Sequence, residues 1–377
     1  MAATNGNADT GLIPVIDISG SLPQDEVAKQ LVDAAATYGF VYIKSLGKDI
    51  PVEAIDSIFD LSKKFFSSPI EEKQPCKIQE NNRGWVGMHA ETLDTKNQRI
   101  GDFKEAMNLG EFVNGKAQQP LPPSFAPREA ELDQFQKYCH NLMLKILVLF
   151  AIGLKVDPQS GGHDWFSSRH RGTGPSGCTL RLLHYPPLPP STTDFQPSID
   201  IRAGAHSDYG SITLLFQRPG QPGLEIIPPS TMLPSQPRDT SSHAAWTPVP
   251  VFPPSTETDP SPPILVNIGD LLSYWTNNLF KSTVHRVIFP SNPAVPGGED
   301  RYSIAYFGHP IGSTVLEPVP SEMVKALEGE SDGAGRRAET GVEAMTADEH
   351  LMSRLKATYL GMYRDEEKEG KESVAVA

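Results

Sequence analysis

AHSDYG (205–210), followed by the apolar run SITLLFQ (211–217), is the stretch that decides how this chain is interpreted. Residues two apart on an extended backbone point to the same face of a strand. His206 and Asp208 can therefore offer a ring nitrogen and a carboxylate oxygen to one point. A His-x-Asp pattern alone is a weak signal, because two polar residues at this spacing often occur by chance.

A second histidine strengthens the signal. His285 lies in STVHRVIF (282–289), a run with the apolar content of a strand. Two histidines and one carboxylate on a β-scaffold form the facial triad of non-haem iron(II) sites, which leaves metal positions open for chemistry. The long separation of His206 and His285 requires non-neighbouring strands to meet, as they do in a jelly roll. A satisfied core histidine is the alternative for His285, and spacing alone does not choose.

Arg301-Tyr302-Ser303 opens the next apolar run. Arg301 and Ser303 share one strand face, and a guanidinium with a hydroxyl suits a carboxylate, which arginine binds through two parallel hydrogen bonds. An arginine that leads into an apolar strand is expected to be partly buried, and a buried charge needs a partner. That partner is either a bound carboxylate or a protein Asp or Glu.

Short β-type runs separated by turn signals dominate the chain from Thr179 onward. They are TLRLLHY (179–185), SITLLFQ (211–217), LEII (224–227), WTPVPV (246–251), ILVNIG (264–269), STVHRVIF (282–289) and YSIAYF (302–307). Pro- and Ser-rich stretches at 228–244 and 252–263 interrupt them. This spacing predicts an all-β sandwich or barrel.

The N-terminal part has a different residue pattern, which predicts mainly helices. IPVIDIS (13–19) predicts an edge strand, and amphipathic patterns predict helices over 25–39, 52–66 and 128–154. We therefore expect one domain over 1–377, mainly β with flanking α-helices. Its parts are a mostly helical N-terminal cover (1–154), a jelly-roll core (175–320) and a C-terminal helix (345–361).

Composition excludes several classes of protein. The net charge is −13 and no dense Lys/Arg block exists, which argues against nucleic-acid binding. The longest apolar stretch (142–154) is too short for a membrane span and contains Lys145. The three cysteines form no disulfide or zinc pattern, and the first residues lack a secretory signal. We expect a cytoplasmic monomer whose partner is a small molecule.

The motifs HSDYGSITLL, NIGDLLSYWTNNLFKSTVHRV and RYSIAYF resemble the core signature of the iron(II)/2-oxoglutarate-dependent dioxygenases of the isopenicillin-N-synthase-like family. IPVIDIS, GWVGMHAETLD, DFKEAMNLG and LRLLHYPP extend the resemblance over most of the chain in the expected order. The resemblance implies a distorted double-stranded β-helix with helices packed around it. It also implies that His206, Asp208 and His285 bind iron, and that Arg301 and Ser303 grip the distal carboxylate of 2-oxoglutarate.

The resemblance also assigns roles around the pocket. Tyr185 matches a tyrosine beside 2-oxoglutarate, whereas Leu183 stands where several relatives have an asparagine that contacts this cosubstrate. The candidate substrate residues lie on barrel strands or on N-terminal segments: Phe307, Leu183, Tyr209, Met88 and Phe103. Lys104 and Glu105 are interpreted as structural or surface charges.

The implied activity is hydroxylation or desaturation of a small organic molecule, in secondary metabolism. Fe(II), 2-oxoglutarate and dioxygen would be required, with ascorbate as an in vitro reductant. Two alternatives stay open: an iron oxidase that needs no 2-oxoglutarate, like isopenicillin N synthase, and a catalytically inactive β-sandwich binding protein. A zinc hydrolase is disfavoured, because no further carboxylate or histidine is placed as a general base.

Overall fold

The structure is a computed structural model that describes residues 13–44, 47–171, 174–188, 195–196, 199–231, 240–241, 244–289, 298–327 and 344–358. Most of the Pro/Ser-rich stretch 228–244 lies outside these ranges. In the described residues, the strands are β1 (Val15–Asp17), β2 (Phe40–Lys44), β3 (Gly84–Val86), β4 (Glu105–Leu109), β5 (Phe112–Val113), β6 (Lys116–Ala117), β7 (Thr179–Tyr185), β8 (Ala203–His206), β9 (Ile212–Gln217), β10 (Leu224–Ile226), β11 (Thr247–Pro248), β12 (Ile264–Ile268), β13 (His285–Val287) and β14 (Arg301–Gly308).

Two sheets form the barrel. The larger has the strand order β1-β2-β12-β9-β14-β7-β4-β3, and the smaller has the order β11-β10-β13-β8. β5 and β6 form a separate hairpin. All pairs between neighbouring strands of these sheets are antiparallel except β1 with β2. The predicted fold class, mainly β with flanking helices in a double-stranded β-helix, is confirmed.

Helices cover the outer face of the larger sheet. The described helices are α1 (Gln24–Thr37), α2 (Val52–Phe66), α3 (Ile70–Lys73), α4 (Glu129–Gly153), α5 (Trp165–His170), α6 (Asp270–Trp275), α7 (Glu322–Lys325) and α8 (Ala347–Thr358). α1, α2 and α4 share one hydrophobic core with the sheet. Gly39, at φ +67°, follows the end of α1, and a Cβ there would collide with the carbonyl oxygen of Lys281. This glycine lets the chain turn directly from α1 into β2.

Strand alternation separates the core from the interior of the barrel. On β14, Tyr302, Ile304 and Tyr306 pack into the core under the helices. The alternate residues face a cavity between the two sheets: Arg301, Ser303, Ala305 and Phe307. Because successive side chains of a strand point to opposite faces, one strand builds both the core and the site.

The first 154 residues contribute more than a helical cover. β1 and β2 extend one end of the larger sheet and β3 and β4 the other end, and β1 is the edge strand that the sequence predicts. β2 (FVYI) reads as a continuous apolar run because both of its faces are buried, Val41 and Ile43 under the helices and Phe40 and Tyr42 inside the barrel. α8 lies within the predicted C-terminal helix (345–361), of which residues 359–361 are outside the described ranges.

Within the described residues, no helix is long and apolar enough to cross a membrane. All three cysteines are buried free thiols.

Candidate metal centre and its cavity

His206 and His285 lie side by side on adjacent strands of the smaller sheet. They are direct register partners on β8 and β13, and their ring centroids lie 4.3 Å apart. The Nδ1 atom of His206 lies 2.7 Å from the carbonyl oxygen of Gly204, and that of His285 lies 3.1 Å from the carbonyl oxygen of Thr283. Donation from Nδ1–H to these carbonyls fixes the tautomer and leaves Nε2 of each ring as the metal-binding nitrogen.

Asp208 completes the cluster from the turn after β8. Its Oδ1 atom lies 3.8 Å from His206 Nε2 and 3.7 Å from His285 Nε2. Its Oδ2 atom accepts hydrogen bonds from Thr213 Oγ1 at 2.6 Å and Asn267 Nδ2 at 2.7 Å. The larger sheet therefore holds one carboxylate oxygen, while the other points to the two imidazoles.

The electrostatics of the cluster favour the metal-binding forms of His206 and Asp208. Burial, with the neighbouring His285, lowers the pKa of His206 to about 3, so its imidazole is neutral at physiological pH. Burial alone would raise the pKa of Asp208, but the two imidazoles and the hydrogen bonds from Thr213 and Asn267 outweigh it and lower that pKa. His206 and Asp208 thus have the protonation states that metal binding requires.

A β-bulge adjusts the register at this point. The pairing of His285 with His206 shifts by one residue before Val287 meets Ala203, and bulges of this kind often re-aim side chains next to active sites. A Cβ on Gly204, inside the bulge, would lie 2.2 Å from Gln98 Oε1 and 2.6 Å from the Asp94 backbone nitrogen. Glycine is therefore required here by close packing.

The donor set fits non-haem iron(II). One nitrogen from each of two histidines and one carboxylate oxygen lie within 4.8 Å of one another, and all three residues line the cavity. A two-histidine, one-carboxylate set with an open side is the facial arrangement of iron(II) oxygenases, whereas structural zinc sites are closed by four protein ligands.

The cavity between the sheets has a volume of about 250 Å³, and Arg301 is one of its lining residues. Arg301 is 1% exposed and donates weak hydrogen bonds to the Gln221 carbonyl, Ser303 Oγ and Gln217 Oε1 at 3.2–3.4 Å. Its guanidinium also lies over the ring of Tyr185, 4.9 Å from the centroid. Among the residues that the structure describes, no carboxylate pairs with Arg301.

A buried guanidinium without a protein counter-ion is costly unless an anion binds there. The Nε2 amide of Gln217 beside it is also buried with no hydrogen-bond partner among the described atoms. The surroundings of Arg301 therefore have hydrogen-bond donors to spare, and they fit the distal carboxylate of 2-oxoglutarate.

Some of the residues predicted for the substrate pocket line the cavity, and others do not. Phe307, Leu183 and Tyr209 line the cavity together with Tyr185. Met88 and Phe103 do not belong to the lining, contrary to the sequence prediction. Met88 is 37% exposed, and the Phe103 ring packs edge-on against other rings: His89, Phe195 and Phe289. These two side chains lie on loop segments for which sequence periodicity gives no direction.

Several lining residues escaped the sequence analysis. Lys104, interpreted there as a structural or surface charge, is 3% exposed and lies at the cavity wall beside Glu91 and Arg181. Asn267, which supports Asp208, is the one polar side chain inside the apolar strand ILVNI. That lone polar residue is a signal that could have identified it. α8 also contributes to the lining, with Asp348, Leu351, Met352 and Leu355.

Fold and site together define a class: a double-stranded β-helix with a two-histidine, one-carboxylate cluster and a buried arginine that lines the same cavity. The comparisons with known proteins agree. Residues 176–310 match the model of the 2OG-Fe(II) oxygenase superfamily, and residues 13–129 match that of the non-haem dioxygenase in morphine synthesis N-terminal region.

Individual relatives extend the match over nearly the whole chain. A UPF0676 protein of Schizosaccharomyces pombe is 37% identical over 92% of both chains. The 2-oxoglutarate-dependent dioxygenase gloF of Glarea lozoyensis is 30% identical over 77% of this chain and 84% of its own. A full-length Neurospora crassa protein solved with alpha-KG and thymine is 28% identical, with a TM-score of 0.72 over 94% of this chain and 99% of its own.

This chain belongs to the 2OG-Fe(II) oxygenase superfamily. It is an oxidoreductase that uses Fe(II), 2-oxoglutarate and dioxygen.

Proposed function

We propose that the chain oxidises a C–H bond of a small organic molecule, with His206, Asp208 and His285 as the iron ligands. The observation that carries this proposal is the convergence of two Nε2 atoms and one carboxylate oxygen within 4.8 Å, on the wall of the cavity. The neutral imidazole of His206 and the ionised carboxylate of Asp208 support it, because these are the forms that bind a divalent cation.

Arg301 and Ser303 are the proposed partners of the distal carboxylate of 2-oxoglutarate, with Tyr185 beside them. Arg301 and Tyr185 are register partners on β14 and β7. The guanidinium is held between the Tyr185 ring and the Gln221 carbonyl, so its direction is fixed before the ligand arrives. Such preorganisation lowers the entropic cost of binding.

Bound iron would supply the activation of dioxygen, coupled to the oxidative decarboxylation of 2-oxoglutarate. In a hydroxylation, one oxygen atom of O2 enters the substrate C–H bond and the other enters succinate, while carbon dioxide leaves. The residues of this chain orient the two organic molecules and keep the reacting carbon in a cavity shielded by both sheets.

The Neurospora crassa protein was solved with thymine, and many relatives are fungal 2-oxoglutarate-dependent dioxygenases. These likenesses support a small-molecule substrate and a role in secondary metabolism for this chain. A cytoplasmic location, a monomeric state and the lack of a nucleic-acid partner stay predictions.

The test is to supply the purified chain with Fe(II), ascorbate and 2-oxoglutarate in air and to measure succinate. Iron-dependent succinate formation is expected, slow without substrate and faster with the right small molecule. Oxygen consumption without succinate would instead identify an oxidase of the isopenicillin N synthase kind. A chain that binds no iron would be a binding protein.

A further inference from the structure

A second buried arginine, Arg202, lies close to Arg301 but does not line the cavity. Arg202 directly precedes β8 and is 1% exposed, as is Arg301. Its guanidinium lies over the Phe289 ring, 4.8 Å from the centroid, and a terminal nitrogen donates to the carbonyl oxygen of Glu299. Glu299 is two residues before Arg301, so one short stretch of chain contains one of the arginines and contacts the other.

The charge of Arg202 has no direct partner. Burial and the positive charge of Arg301 lower the pKa of Arg202 to about 10, so its guanidinium is still charged at neutral pH. Within the described residues, no carboxylate forms an ion pair with it, and its Nε atom has no hydrogen-bond partner. The negative charge of Asp300 counteracts the lowering of this pKa, but Asp300 Oδ1 lies 2.6 Å from His184 Nε2 and pairs with that ring.

The two buried guanidinium groups therefore repel each other in the free protein. Burial of an unpaired charge is costly, and a nearby like charge increases the cost. If Arg202 served only to hold the Glu299 carbonyl, a neutral donor such as an amide would do so at lower cost. An anion that binds to Arg301 reduces the cost for both arginines, so the repulsion in the free protein favours anion binding.

We propose that Arg202 is a positioning residue of the cosubstrate pocket, which supplies a second positive charge near Arg301 and strengthens the binding of the distal carboxylate of 2-oxoglutarate. This inference rests on the proposed function, in which Arg301 and Ser303 bind that carboxylate. Arg202 acts in two ways. Its contact with the Glu299 carbonyl holds the chain where it enters β14, and its charge adds to that of Arg301 in a region where charges are screened less than in water.

The first test compares two 2-oxo acids. 2-Oxopentanoate has the keto group and the C1 carboxylate of 2-oxoglutarate but ends in a methyl group. The ratio of its dissociation constant to that of 2-oxoglutarate, the carboxylate preference, therefore measures what the distal carboxylate contributes. Calorimetric titration of the full chain loaded with Mn(II) in place of iron gives both constants without turnover. We expect a carboxylate preference of about 100-fold or more in the wild type.

Two substitutions separate the charge of Arg202 from its structural contact. Arg202→Gln can still donate to the Glu299 carbonyl but is neutral, so we expect the carboxylate preference to fall about tenfold, through weaker binding of 2-oxoglutarate alone. Arg202→Lys keeps the charge and should retain the preference to within about threefold. The proposal is overturned by an unchanged preference in Arg202→Gln, by an equal loss of affinity for both acids, or by an equal fall in Arg202→Lys.

Arg286 provides a matched control in the smaller sheet. Its guanidinium also lies over an aromatic ring, 4.0 Å from the centroid of Trp246, but it pairs with Glu225 at 2.8 Å. It does not line the cavity. Arg286→Gln should leave the carboxylate preference unchanged. A fall as large as that in Arg202→Gln would show that any positive charge of the sheet has this effect, and would overturn the specific role of Arg202.

A crystal structure of the wild type with Mn(II) and 2-oxoglutarate tests the proposal without a variant, should Arg202→Gln fail to fold. The guanidinium carbon of Arg202 is expected within about 8 Å of the distal carboxylate carbon, the screening length at physiological salt. A larger separation overturns the proposal. Iron-dependent succinate formation tests the proposed function separately: succinate with an unchanged carboxylate preference in Arg202→Gln refutes only the role of Arg202, whereas a wild type that forms no succinate refutes the proposed function.

Discussion

His206 and His285 orient their rings by the same local device, since the Nδ1 atom of each lies against the carbonyl oxygen two residues earlier in the chain. The two strands thus present equivalent Nε2 atoms to one point, even though they come from distant parts of the sequence. Asp208 differs, because the larger sheet orients it through Thr213 and Asn267.

Replacing Asp208 should abolish the activity. Asp208→Ala removes the only carboxylate of the cluster, so we expect succinate formation to fall to background and iron to be lost on desalting. Iron content and succinate yield measure this. Asp259→Ala, at a carboxylate that pairs with Lys44 away from the cluster, is the control, and wild-type iron content in Asp208→Ala would show the ligand assignment to be wrong.

Thr213→Val should weaken iron binding without removing a ligand. The hydroxyl donates to Asp208 Oδ2, and loss of an outer-shell hydrogen bond of this kind typically costs about 10- to 100-fold in metal affinity. Competition with a chelator measures the change. An unchanged affinity would mean that Asn267 alone holds the carboxylate.

Arg301→Leu should weaken the binding of 2-oxoglutarate and leave the binding of iron unchanged. Loss of the buried guanidinium removes the counter-charge of the distal carboxylate, so the KM for 2-oxoglutarate should rise by roughly two orders of magnitude or more. Steady-state succinate kinetics test this, with Arg286→Leu as the control. If KM stays at the wild-type value, the distal carboxylate binds elsewhere.

Arg354→Met should loosen the C-terminal helix. Arg354 pairs with Asp270, which also accepts hydrogen bonds from Ser207 at 3.2 Å and Ser282 at 2.6 Å. Backbone amides of α8 are expected to exchange with deuterium several-fold faster in the variant. Mass spectrometry of peptides from 347–358 provides the measurement, and unchanged exchange would show that apolar contacts alone hold the helix.

Acid should destabilise the protein through buried histidines. Burial lowers the pKa of His170 to about 4, and the charges of His140 and Arg169 add to this effect. Because the pKa is depressed in the folded state, the unfolded chain binds more protons between about pH 4 and 6.5, and stability falls as the pH decreases through this window. For His170 alone, the loss at pH 5 relative to pH 7 is about 2 kcal/mol.

Urea unfolding of the wild type and His170→Gln at pH 7 and pH 5 tests this expectation. The variant should be less stable at pH 7, since Nδ1–H of the ring donates to the Phe166 carbonyl oxygen and Nε2 accepts from Ser211 Oγ. Its free energy of unfolding should nevertheless depend less on pH. Equal dependence in both proteins would assign the acid sensitivity to other groups.

The sequence predicts most of the barrel strands because they follow local periodicity, although WTPVPV contains only the two-residue strand β11. TLRLLHY coincides with β7, and the two-residue spacing places Arg301, Ser303 and Phe307 on one face. The residues missed by sequence analysis depend on tertiary contacts. Nothing local indicates that Glu91, on an irregular segment, reaches Arg181, or that strands β4 and β3 extend the larger sheet beyond β7.

The direction in which a side chain points is equally hard to derive from sequence for residues outside helices and strands. Met88 and Phe103 belong to segments that approach the barrel, but the backbone turns between them decide which side chains enter the cavity. Lys104 enters it because Asp102 and Glu91 compensate its charge, and no pattern in DFKEAM indicates that Glu91 is the second partner.

The placement of the three cluster residues has a consequence for the order of assembly. The two histidines belong to the smaller sheet, while Asp208 is fastened to β9 and β12 of the larger one. An ion at this point would link the two sheets. Because its ligands are distant in sequence, the binding site forms only after both sheets have folded. The ion should therefore bind to the folded barrel. Its removal by a chelator should increase the separation between the two sheets without unfolding either one.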